Sequence, residues 1–116
     1  MVAPTNTGAS PVVAVDENGD VVVALGQPAT ARQVSVTTSN ANTALTATVR
    51  RISIKARGCD MRYAIGSTAQ TANATTSHFI ENGERLDLAV PLSANIGVIR
   101  DTAATANGAL EITELT

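Results

Sequence analysis

Most of the chain reads as short segments in which apolar and polar residues alternate. "RQVSVTT" (residues 32–38) sets Val34 and Val36 between polar neighbours. "DMRYAIG" (60–66) puts Met61, Tyr63 and Ile65 on one face and Asp60, Arg62 and Ala64 on the other. "NIGVIR" (95–100) and "ALEITEL" (109–115) continue the pattern, the latter with Leu110 and Ile112 inward and Glu111 and Thr113 outward. A period of two marks a half-buried strand. "LTATVRRISIKA" (45–56) alternates too, but its phase slips at Arg50-Arg51, from Leu45, Ala47 and Val49 to Ile52, Ile54 and Ala56. A β-bulge or a break between two strands restores both faces there. Near the start, "PVVAVDENGDVVVAL" (11–25) places two Val-rich runs around Asp16-Glu17-Asn18-Gly19-Asp20, and Asn-Gly supplies the positive φ angles of a hairpin turn.

"HFIENGERLDLAVP" (78–91) concentrates the ionisable residues His78, Glu81, Glu84, Arg85 and Asp87. With Asn82-Gly83 as a two-residue turn, Phe79, Leu86, Leu88 and Val90 share a core-facing side, and His78 faces Asp87 on the solvent side. The turn sets Glu81 opposite Glu84, an unfavourable like-charge pair, and a longer loop joining two sheets would relieve it while keeping the alternation.

Between these segments lie Thr/Ala/Asn/Ser-rich stretches at 37–48, 67–77 and 101–108, which carry no apolar stripe of period 3.6 and read as loops and strand margins. About eight short strands at this spacing predict an all-β fold, an antiparallel β-sandwich of jelly-roll-like type, with a small barrel as the other solution. The expected division is an extended N-terminal arm with the start of the first hairpin over residues 1–20, and a β-sandwich domain over 21–116.

Composition sharpens this picture. Of 116 residues 44% are hydrophobic, yet there is one Phe, one Tyr and no Trp, so the core is aliphatic. Such a core gains less burial energy per residue, at roughly 25 cal/mol per Å², and association with further copies or a partner would reinforce it. The net charge of −2 is spread along the chain, without a basic block to follow nucleic-acid phosphates. No apolar run approaches the roughly 20 residues that cross a bilayer, and "MVAPTNTGAS" has neither the positive start nor the apolar stretch of a signal peptide.

Candidate chemistry is sparse. A His78–Asp87 pair fits sheet surface better than a catalytic dyad. Cys59 follows Arg57, which would lower a thiol's pKa, but His78 would have to act as its base, and a small, semi-buried Cys at a turn is the simpler reading. Asp16, Asn18 and Asp20 resemble the start of a calcium loop, yet Val21 and Val22 follow where Gly and a later Glu belong. No catalytic residue, cofactor or metal is expected. Arg50, Arg51, Arg57 and Arg62 are the candidates for one docking edge facing an acidic partner, since arginine favours fixed planar contacts.

The block "CDMRYAIGSTAQTANATTSHFIENGERLDLAVP…NIGVIRDTAATANGALEITEL" resembles small β-sandwich bacteriophage virion proteins encoded near capsid genes. The matching pieces are Tyr63-Ala64-Ile65-Gly66, Ser77-His78-Phe79-Ile80, Gly83-Glu84-Arg85-Leu86, Ile96 to Ile99 and Leu110 to Leu115, within residues 49–116. The resemblance implies a structural, non-enzymatic capsid decoration (cement) protein, made in the host bacterial cytoplasm and carried on the virion's capsid surface. Its implied partners are the major capsid protein and other copies of itself, as a dimer or trimer, without membrane or direct nucleic-acid contact. The arm residues Val2, Pro4 and Val12 join the four arginines as expected interface. A head–tail connector, tail or fibre-associated virion protein is the alternative. A carbohydrate-binding module is a third, although its aromatics, Tyr63 and Phe79, are both expected inside.

Overall fold

The structure, a computed structural model, describes residues 26–116 together with Ala14–Val15 and Val21–Val22. The chain is all-β: ten strands and no helix among the described residues. β1 (Ala14–Val15) and β2 (Val21–Val22) pair antiparallel with each other, Ala14 opposite Val22 and Val15 opposite Val21, and with neither larger sheet. The expected hairpin therefore forms; its turn residues 16–20, the calcium-loop-like positions among them, lie outside the described residues, as do Val2, Pro4 and Val12.

The other eight strands are β3 (Pro28–Val36), β4 (Ala41–Ala44), β5 (Arg51–Arg57), β6 (Met61–Gly66), β7 (His78–Ile80), β8 (Arg85–Ala89), β9 (Asn95–Arg100) and β10 (Gly108–Leu115). They form two antiparallel four-stranded sheets, ordered β3–β10–β5–β8 and β4–β9–β6–β7. The pairs are nested: β6 with β7, β5 with β8, β4 with β9 and β3 with β10. Every connection except β6 to β7 passes from one sheet to the other.

The alternation places one aliphatic core between the sheets. Ile52, Ile54, Leu110 and Ile112 come from the first sheet, and Met61, Tyr63, Ile80, Ile96 and Val98 from the second. Leu86 and Leu88 pack against this cluster and Val90 joins it.

Four details either decide an open alternative or differ from expectation. The phase slip at Arg50-Arg51 is a break, because the chain changes sheets there: residues 45–50 are no strand, and buried Leu45 and Val49 cap the gap between the layers. Ala41–Ala44, inside a stretch read as loop, is a strand held by β9 rather than by hydrophobic side chains of its own. β3 begins at Pro28, four residues before "RQVSVTT"; this is an edge strand, where a proline costs no ladder bond on the open side.

The fourth concerns residues 78–91, which are no hairpin. β7 pairs with β6, and β8 with β5 in the opposite sheet, so the segment joining two sheets is the arrangement adopted. The phase of β7 follows from its partner. Met61 sits opposite Ile80 and Arg62 opposite Phe79, so Ile80 is fully buried while Phe79 is 44% exposed.

Candidate functional site

The outward face of the β3–β10–β5–β8 sheet gathers a cluster of charged side chains, because β5 reads Arg51-Ile52-Ser53-Ile54-Lys55-Ala56-Arg57 and sends every odd position away from the core. Register sets this face in rows. Glu111, Lys55 and Arg85 lie side by side; Thr113, Ser53 and Asp87 form the next row; Leu115, Arg51 and Ala89 the one after. On β3, Gln33 flanks Glu111, Ala31 flanks Thr113 and Pro28 flanks Leu115.

Short polar contacts fix several of these groups. Arg57 Nη1 donates to Glu111 Oε2 at 2.9 Å, and Gln33 Nε2 to the same oxygen at 2.6 Å. The Gln33 bond is the main reason the Glu111 carboxyl sits below its ordinary pKa; partial burial opposes it and Arg57 adds to it. Arg85 Nη1 donates to Ser53 Oγ at 2.9 Å, covering a hydroxyl that is buried although it faces outward. Arg51 Nη2 donates to the Thr116 carbonyl at 3.1 Å. A groove of about 600 Å³ opens along the last two rows, its lining mixing apolar Pro28, Leu115 and Ala89 with charged Arg51, Arg85 and Asp87. Arg51, Lys55, Arg57 and Arg85 stand against Asp87 and Glu111, a net positive face on a chain whose overall charge is −2.

The four arginines expected to share one edge are divided. Arg51 and Arg57 occupy opposite ends of β5 on the same face, some 20 Å apart at ~3.3 Å per residue. Arg50 is exposed just before β5. Arg62 belongs to the other sheet: its Nε lies 2.8 Å from Asp101 Oδ1, its Nη1 donates to the Ser77 carbonyl at 3.0 Å, and its guanidinium covers the Phe79 ring at 4.8 Å. Lys55 and Arg85 join Arg51 and Arg57 instead. Lys55 shares their phase in "RISIKAR", so the period of two contains it; Arg85 arrives through β5–β8 pairing, which no local pattern reveals.

The outward face of the second sheet is partly covered by the chain itself, over β4 and β9. Gln70 receives a bond on its carbonyl from Asn40 Nδ2 at 3.1 Å and donates its N–H to Asn42 Oδ1 at 2.8 Å, while Ala72 N–H donates to Asn40 Oδ1 at 2.7 Å. The segment 67–77 lies close enough that a Cβ on Gly97 would come within 2.5 Å of the Gln70 carbonyl oxygen.

The candidate catalytic groups stand apart. His78 is on β7, its ring 5.3 Å from that of Tyr63; Asp87 is in the opposite sheet beside Ser53; Cys59 is buried in the turn between β5 and β6. Burial pushes the Cys59 thiol up, Arg100 partly offsets this and Asp60 adds to it, so the thiol stays protonated near neutral pH. Among the described residues no group of three or more His, Cys, Asp or Glu side chains is placed to hold a metal ion, and no helix is long and apolar enough to cross a membrane. No protein-family model matches the chain, and neither a curated protein nor a solved structure matches it.

Proposed function

We propose that this chain is a non-enzymatic structural protein of a bacteriophage particle, a jelly-roll-like β-sandwich that decorates the outer capsid and braces junctions between capsomers. The observation that carries this reading is the basic outward face of the β3–β10–β5–β8 sheet, with Arg51, Lys55, Arg57 and Arg85 on one rigid surface beside a groove. Charge held on strands suits a fixed, repeated contact with an acidic protein surface, since a preordered guanidinium loses little freedom on pairing.

Strand order supports the jelly-roll part. Numbered from β3, the sheets run 1–8–3–6 and 2–7–4–5, the nested pairing that arises when one long hairpin folds over on itself. The ionisable groups favour a structural role as well: Glu114, Asp101 and Glu111 each hold an arginine, and the Cys59 thiol is protonated and enclosed.

Electron microscopy of the particle whose genome encodes this chain tests the reading, since it gives location and copy number together. Hundreds of copies over the shell are expected, with the basic sheet face in contact with an acidic neighbouring protein surface. A dozen or fewer copies at a single vertex would replace this reading with that of a connector or tail component.

A further inference from the structure

The strongest unassigned feature is the groove on the β3–β10–β5–β8 face. The two outward faces are treated differently: residues 67–77 cover part of one through the Asn40, Asn42 and Gln70 contacts, while the groove lies on the other. Its lining mixes apolar and net basic groups, with Pro28, Leu115, Arg51 and Ala89 in one row, Arg85 and Asp87 further along β8 and Lys55 adjoining, which suits an occupant both apolar and acidic.

The chain itself contains such a segment. Residues 1–25 hold Asp16, Glu17 and Asp20 and no basic residue, a net −3; residues 26–116 hold all eight bases against seven acids, a net +1. The same segment carries the valine-rich runs "PVVAV" and "VVVAL". Among the described residues its strands β1 and β2 pair only with each other, and a lone two-stranded ribbon is marginal in water until something covers a face. Gly26, the residue that follows, lines the groove, so the segment is tethered beside a surface that suits it.

We infer that the groove receives the acidic β1–β2 ribbon of a second copy of this chain. The apolar side chains of the ribbon meet Pro28, Ala89 and Leu115, and Asp16, Glu17 and Asp20 meet Arg51, Lys55 and Arg85. Because every copy carries both a ribbon and a groove, reciprocal exchange closes a symmetric assembly without any other partner. The inference goes beyond capsid decoration, since copies would join this way in free solution whether or not they bind a shell.

Lys55 is the only lysine in the sequence, which makes a direct test available on the native chain. Equal amounts of ¹⁴N- and ¹⁵N-labelled full-length protein are mixed, equilibrated and treated with a zero-length carbodiimide that joins carboxylates to amines. Cross-linked peptides between Lys55 and Asp16, Glu17 or Asp20 are expected, with about half pairing a light with a heavy partner. Absence of these peptides, or pairs of a single isotope only, would overturn the inference; the second result means that the ribbon folds back on its own chain.

A charge swap supplies the second readout. The full chain with Lys55→Glu and Arg85→Glu, and the full chain with Asp16→Lys, Glu17→Lys and Asp20→Lys, should each lose association at least tenfold by sedimentation velocity. An equimolar mixture of the two should recover it, because opposite charges then meet at both contacts. A mixture of folded variants that stays monomeric sinks the proposal, and where a variant fails to fold, the cross-links on the native chain decide. A shell that binds protein whose cross-links are all single-isotope would leave decoration standing and this contact refuted.

Discussion

Glu114 shows how one side chain can fasten distant segments of the chain. Strict alternation in "ALEITEL" sends Leu110, Ile112 and Glu114 to the same side, so the sequence already implies a carboxylate aimed into the core; what meets it lies far away in the chain. Arg32 Nε donates to its Oε2 at 3.0 Å, the Thr46 N–H to Oε2 at 2.9 Å and the Thr46 hydroxyl to Oε1 at 2.7 Å. Burial pushes the Glu114 carboxyl up, but the Thr46 and Arg32 bonds outweigh it and hold the group below its ordinary range. Glu114→Ala leaves Arg32 and Thr46 facing an apolar gap, a loss of about 3 kcal/mol, read as a fall of about 10 °C in Tm. An unchanged Tm would mean that water replaces the carboxylate without cost. Gly97 is a second such point. Its missing Cβ admits the Gln70 carbonyl, so Gly97→Ala must push residues 67–72 outward at a cost of about 2 kcal/mol. Amide hydrogen exchange at Ala72, whose N–H is held by Asn40, should quicken in that variant and stay unchanged if the strand yields instead.

At the scale of elements, the period of two locates most strands and their faces, whereas partners are beyond it. Met61, Tyr63, Leu110 and Ile112 fall inward as their alternation predicts. Phe79 does not, because three residues of β7 are too few to fix a phase, and register with β6 decides it. β4 is hidden for another reason: "ANTA" has no large apolar side chain to mark a buried face and is ordered by β9. The basic face is half legible, Arg51 and Arg57 by phase, Arg85 only once the β5–β8 pairing is known. The corner at Glu81–Glu84 shows what replaces a hairpin turn. Glu84 N–H donates to the Glu81 carbonyl at 2.9 Å, Gly83 N–H to the Ala56 carbonyl at 2.8 Å, and Gly58 N–H to Asn82 Oδ1 at 2.8 Å, docking the corner on the β5–β6 turn. Gly83 has φ of 89° and open space where a Cβ would stand, so Gly83→Ala carries only the backbone penalty, about 1 kcal/mol. Asn82→Ala costs about 1 kcal/mol through the lost acceptor, and since both changes loosen one corner, the double variant should fall short of their sum. Strict additivity in urea unfolding would show that the two contacts act separately.

For the molecule as a whole, the carboxylates that tie its segments together also set its response to acid. Asp101 accepts from Arg62 Nε at 2.8 Å and from the Ala103 N–H at 2.9 Å, and these two bonds, against a smaller effect of burial, hold its carboxyl below the ordinary 3.8. Glu114 is likewise held below its ordinary 4.5. A depressed folded-state pKa means that the unfolded chain binds protons first on acidification. The stabilisation from both groups is therefore fully present above their ordinary values and drains away as pH falls through the lower folded values. With an aliphatic core and one Phe and one Tyr among 116 residues, little else compensates. Melting followed by circular dichroism should give a level Tm from neutral pH down to about 5 and a steady decline below about 4. Asp101→Asn keeps an acceptor for Ala103 but removes the charge that faces Arg62. It should melt lower than the parent at neutral pH and lose less on acidification, so that the two curves converge toward a pH of about 3. Parallel curves would show that Asp101 contributes geometry alone, and would move the origin of the acid response to Glu114, where Arg32 and Thr46 tie β3 and the β4–β5 connection to β10.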